Sequence, residues 1–162
     1  MGYPNFRNNH AMHGYCIKTN KEGTWKPGYM PLETWIKAET AKNQNTEKLK
    51  LPAFGFGMPV GSTSTTPDYS KVFEIGFDLD NVGNEFDYIW NKLKDDKRVT
   101  LLYRSQSGNG IRFFMRSSQP LMNRETYHAT FLSILDTIPY VKKYIDGSKA
   151  YGNNFWFIGR DE

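Results

Sequence analysis

Apolar and polar residues alternate most regularly between Val72 and Asp80, where Phe73, Ile75, Phe77 and Leu79 interleave with Glu74, Gly76, Asp78 and Asp80. A period of two predicts a strand with one buried face and one acidic face. The period then changes. Phe86, Ile89, Trp90 and Leu93 recur at helical spacing, which predicts an amphipathic helix from about Asn84 to Asp95. Arg98 to Ser105 and Gly110 to Ser117 read as two strands of a hairpin joined by Ser-Gln-Ser-Gly-Asn-Gly. Asn123 is suited to cap a helix whose apolar stripe is Tyr127, Phe131, Ile134, Leu135 and Ile138, and Pro139 ends or restarts it. After a turn over 146–153, Phe155 to Gly159 offers a last strand.

The first 70 residues or so lack sustained periodicity and are rich in Asn, Lys, Gly, Pro and Thr, so mostly loops are expected there. Pro31 is placed to open a short helix through Glu33, Trp35 and Ile36. Ala38 to Lys50 is polar and expected at the surface, and Gly61 to Ser70 reads as a flexible connector. The order strand, helix, strand, strand, helix, strand predicts an α+β fold: a ferredoxin-like (RRM-like) βαββαβ core with helices on one face of an antiparallel sheet. The core would span 48–162, behind an irregular N-terminal extension over 1–47, in one compact domain. First and third strands are adjacent and central in that topology. Asp78 and Asp80 would then lie beside Arg112, Phe114 and Arg116 on the uncovered side of the sheet.

Composition narrows the class. The chain has 162 residues with 15% aromatics, so Phe, Tyr and Trp must build much of one domain's core. A single Cys16 excludes an internal disulfide and multi-cysteine zinc sites, and fits a reducing compartment. No apolar run long enough to span a membrane is present, and the first residues lack the apolar stretch of a secretory signal. The net charge of +4 permits an anionic partner without requiring one.

Candidate chemistry centres on the acids. Asp78 and Asp80 are two apart, so on a strand both carboxylates point the same way, within reach of a shared magnesium or manganese ion. The alternative is a strand end with solvated acids. Asp146, in Tyr-Ile-Asp-Gly, is either a turn aspartate or the third acid of a two-metal site. The turn from Ser105 to Gly110 reads as a hairpin turn or as a small-residue cradle for phosphate; it matches neither a Walker A loop nor G-x-G-x-x-G. Arg112 just beyond it suits phosphate oxygens. Arg116 and Phe114, on the same expected face, are candidate nucleic-acid contacts, and Lys50 is a candidate nucleic-acid contact or a solvated surface lysine. His10, His13 and Cys16 lack a fourth zinc ligand nearby, so no structural zinc is expected.

The succession KLKLPAF, FDLDN, SQSGNGIRFF, YIDGS and NNFWFIGRD resembles the archaeo-eukaryotic primase superfamily, in particular small bacterial and phage primase-like domains related to the N-terminal domain of virulence-associated E proteins. The likeness covers Lys48 to Glu162. It implies a ferredoxin-like catalytic core that makes primers on a single-stranded DNA template from nucleoside triphosphates, with two divalent ions, Mg²⁺ or Mn²⁺. Carried over, the metal-binding catalytic acids are Asp78, Asp80 and Asp146. The triphosphate-binding set is Ser105, Ser107, Gly108, Gly110 and Arg112, where many members have histidine at the last position. Asn154 stands where related domains commonly have arginine, with Arg160 the nearest replacement. The resemblance further implies a bacterial or phage-infected cytoplasm and a separate replicative helicase. Alternatives are a catalytically inactive accessory domain that binds nucleic acid, and a metal-dependent nuclease.

Overall fold

The computed structural model describes residues 15–19, 23–47, 50–57, 66–105, 107–152 and 156–158. It is a mixed α+β structure with two small antiparallel sheets. The first strands are β1 (Tyr15–Lys18) and β2 (Lys26–Pro27), followed by helix α1 (Leu32–Lys42) and strand β3 (Ala53–Phe56). Then come β4 (Glu74–Leu79), α2 (Phe86–Asp95), β5 (Val99–Arg104), β6 (Ile111–Arg116), α3 (Arg124–Leu135) and β7 (Trp156–Phe157). One sheet has the order β4-β6-β5 and the other β2-β1-β3-β7. Among the described residues no helix is long and apolar enough to cross a membrane.

The apolar face of β4 packs as the sequence predicts. Phe77 stacks on Phe113 of β6 and on Phe131 of α3, with ring centroids 4.7 and 4.8 Å apart. Arg104, on the same side of β5 as Leu102, lies 4.6 Å over the ring of Phe86 in α2. Both helices therefore cover one face of this sheet. Asn123 caps α3 by accepting the Thr126 N–H at 2.8 Å, and Pro139 restarts the chain as a 3₁₀ helix over Pro139–Tyr144. These elements carry apolar stripes or caps that locate them without tertiary help.

Three expectations need correction. The segment before residue 48 is not merely an irregular extension, because β1 pairs along β3 from Tyr15↔Phe56 to Lys18↔Ala53, so the 47/48 boundary runs through a sheet. Helix α1 continues through the polar stretch to Lys42, burying only Leu32, Trp35, Ile36 and Thr40. Finally, β4 is an edge strand, with β6 in the centre. The last strand, β7, pairs with β3 rather than with β4. Of the Gly61–Ser70 connector, 61–65 lie outside the described residues, while Asp68 caps a 3₁₀ turn by accepting the Ser70 N–H.

The acidic face of β4, expected to be the uncovered side of the sheet, is instead covered by the second sheet, and all six residues of the strand are buried. Phe54, Phe56 and Trp156 surround Phe114, with ring centroids 5.9, 5.4 and 4.7 Å away, so α2 and α3, the three-stranded sheet and the second sheet stack as three layers. The fit is tightest at Gly76. A Cβ there would stand 2.4 Å from Trp156 Cζ2 and 2.6 Å from Phe114 Cε2. Ring atoms in a packed interlayer cannot retreat cheaply. Gly76→Ala is therefore expected to destabilise the protein by about 2 kcal/mol, measured by urea denaturation.

Candidate metal centre

Asp78 and Asp80 follow one another along the inner face of β4 and its end, and Asp146 is brought to them by backbone pairing. The edge of β4 offers unpaired peptide groups, which in a buried setting must find partners. The Gly76 N–H donates to the Tyr127 hydroxyl at 2.8 Å. Beyond it, Asp80 N–H donates to the Tyr144 carbonyl at 2.9 Å and Asp146 N–H to the Asp78 carbonyl at 2.8 Å. Leu79 and Ile145 form an antiparallel bridge between them. The short run 144–146 thus acts as a fragment of strand beside β4. One ligand oxygen from each of Asp78, Asp80 and Asp146 lies within 4.8 Å of the others. Such an all-oxygen donor set suits a hard divalent cation.

Register sets what faces these acids. Asp78 is opposite Arg112, which is opposite Tyr103. Arg112 Nε stands 3.4 Å from Asp78 Oδ1, and the guanidinium also hydrogen-bonds the Tyr103 hydroxyl. Arg112 is 7% exposed, so its fork is turned inward to these partners. Burial opposes its charge, but the Tyr103 oxygen and Asp78 more than restore it, leaving its pKa above the ordinary arginine value. Burial pushes the Tyr103 hydroxyl upward too.

The small-residue turn lies beside the same strand end. Val82 N–H donates to the Asn109 carbonyl at 2.9 Å, and a Cβ at Gly110 would stand 2.5 Å from the Leu79 carbonyl oxygen. Gly108 has φ +85°, where glycine carries no Cβ penalty. Inside the turn, Ser105 Oγ accepts the Gly110 N–H at 3.0 Å and lies 3.2 Å from Ser107 Oγ. These groups therefore bind one another, and Arg104 Nε donates to the Gly108 carbonyl at 2.8 Å. Gln106 lies outside the described residues.

The other candidates separate from the centre. Phe114 is 1% exposed beneath the second sheet, which corrects its expected role on an open face. Arg116 pairs with buried Glu74 and lies 4.8 Å over Phe73. Burial raises the Glu74 pKa, with Arg116 acting against that rise. Lys50 is exposed and pairs with Glu47 at 3.8 Å. His10, His13, Asn154 and Arg160 lie outside the described residues. Cys16 is buried, and burial pushes its thiol up to about 12.

One residue at the centre was missed by reading the sequence. Lys149 belongs to the 3₁₀ turn Gly147–Lys149, which begins with Asp146 Oδ1 accepting the Ser148 N–H at 2.9 Å. Its Nζ lies 4.5 Å from the Trp156 ring centroid. Burial first, then the Arg112 charge, depress its pKa to about 8, while Asp78 and Asp146 act in the opposite direction. Its spacing from Asp146 was visible as Asp-Gly-Ser-Lys, but only the packing of Trp156 shows which way that turn faces. Comparison with protein-family models, with curated proteins and with solved structures returns no match.

Two measurements follow from these charges. Arg116→Ala strands the Glu74 carboxylate and is expected to cost about 2 kcal/mol in chemical denaturation, with Glu74→Gln added to it recovering part of the loss. For Lys149, the folded pKa of about 8 lies below the ordinary 10.5, so between those values the unfolded chain binds more protons and stability rises with pH. In chelator, Lys149→Met is therefore expected to raise the melting temperature below pH 8, with the gain shrinking from pH 8 to 10.5. A gain independent of pH would contradict the assigned burial of the charge.

Proposed function

We propose that the chain is a DNA-templated nucleotidyl transferase of the primase type. The convergence of Asp78, Asp80 and Asp146 on one small volume, flanked by Arg112, is the observation that carries the reading. Support comes also from order: β4, α2, β5, β6 and α3 follow the first five elements of a ferredoxin-like unit, and β4 lies beside β6 as that topology requires. The motif resemblance points the same way.

The three carboxylates are the residues that would hold Mg²⁺ or Mn²⁺. Two such ions, when bound, supply activation of an attacking hydroxyl and stabilisation of a leaving pyrophosphate. In the reaction a 3′-hydroxyl attacks the α-phosphate of a nucleoside triphosphate, forming a P–O bond as the bond to pyrophosphate breaks. The chain's own part is positioning and charge. Asp78 is oriented by Arg112, and Asp146 by its turn and by the backbone bond to β4. The Ser105–Gly110 turn, Gly108 included, is rigidified by its internal bonds and stands at the substrate side of the strand end. No protein nucleophile is needed. The substrates would be single-stranded DNA and nucleoside triphosphates in a bacterial or phage-infected cytoplasm, with strand separation left to a separate helicase.

Incubated with single-stranded DNA, labelled nucleoside triphosphates and Mg²⁺ or Mn²⁺, the protein is expected to make template-dependent oligonucleotides. Asp78→Asn/Asp80→Asn should reduce the product by about a hundredfold or more, as loss of the metal's charge stabilisation requires. DNA binding without product would favour the accessory domain, and degradation of the template would favour the nuclease.

A further inference from the structure

The sheet-to-sheet packing brings a second cation to the acid cluster. Trp156 lies over Gly76, two residues before Asp78 on the same face of β4. Lys149 Nζ sits 4.5 Å from that indole. Lys149 ends the short turn that Asp146 begins, Asp146 Oδ1 accepting the Ser148 N–H at 2.9 Å, so the ammonium beside Trp156 lies three residues from one acid and on the second-sheet side of the strand face that bears another. The two cations differ in what they can reach. Arg112 is almost wholly enclosed and bonded to Asp78 and Tyr103. Lys149 is half-buried, on a turn whose other residues are exposed. A lysine side chain has a long stem and three rotatable donors, which lets its head follow a flexible anion.

The geometry points to Lys149 as the side chain that grips the phosphate chain of a metal-bound polyphosphate at this centre. This inference deepens the proposed function and rests on reading the three acids as the metal site. The Lys149 ammonium and an ion on the carboxylates hold the substrate's phosphates from two sides, while Arg112 serves chiefly to orient Asp78. A polyphosphate brought in with its metal also relieves the cost of keeping the ammonium partly out of water, since an anion replaces the lost hydration.

The test uses the full chain and inorganic tripolyphosphate with Mg²⁺, followed by titration calorimetry. The unmodified protein is expected to bind, and to lose binding in chelator. Lys149→Met should weaken it by about tenfold or more, the worth of a charge-assisted hydrogen bond, whereas Lys149→Arg should stay close to the unmodified protein. Melting curves of each variant establish that it is folded. Equal affinity of Lys149→Met and unmodified protein would overturn the inference, as would Lys149→Arg failing as badly as Lys149→Met, which would mark a packing role. Absence of tripolyphosphate binding in the unmodified protein would overturn it too, while direct titration with Mn²⁺ shows separately whether Asp78 and Asp80 still hold metal. Lys149-dependent binding without primer synthesis would uphold the inference and remove only the polymerase reading.

Discussion

The missing side chain of Gly76 lets an indole approach a strand closely, and much of the molecule's organisation depends on that approach. Trp156 enters the space a Cβ would occupy and meets Phe114 there. Through β7 it carries β3 and β1 with it, so the second sheet closes over the face of β4 that bears Asp78. Enclosing that face turns an ordinary row of surface charges into a low-dielectric setting, where each charge needs a partner. Arg112 answers Asp78, and Arg116 answers Glu74.

The same enclosure gives the acid cluster its asymmetry. Asp78 is buried, Asp80 exposed and Asp146 between them, so the centre opens at the end of β4 and is closed along its length. A cation entering from solvent would meet Asp80 first and the Asp78–Arg112 pair last. Edge-strand chemistry makes this possible: because β4 has no sheet neighbour on one side among the described residues, residues 144–146 can pair there and deliver an acid from elsewhere in the chain. A fully paired central strand would leave no room for it.

Reading the sequence succeeded where a single element carries its own signal. The alternation in Val72–Asp80, the helical stripe of Phe86 to Leu93 and the Asn123 cap all reappear at the expected places. The acid pair was legible because two residues apart on a strand means one face. It failed where the signal lay in another segment. β1 and β3 are four residues each and β2 and β7 two, too short for periodicity to register. Phe114 looked like an aromatic on a polar face because its covering rings, Phe54, Phe56 and Trp156, are distant in sequence.

By itself, then, the sequence determined α2, α3, the longer strands and which side chains share a strand face, since these follow from spacing within a few residues. It also put Asp78 and Asp80 on one strand face, with Arg112 expected across from them. Tertiary structure alone decided that β4 lies at an edge, that its acidic face and Phe114 are covered, that Arg116 is engaged by Glu74, and that Lys149 packs against Trp156. Those outcomes depend on long-range pairing and on the fit of one indole over one glycine, and no local pattern encodes either.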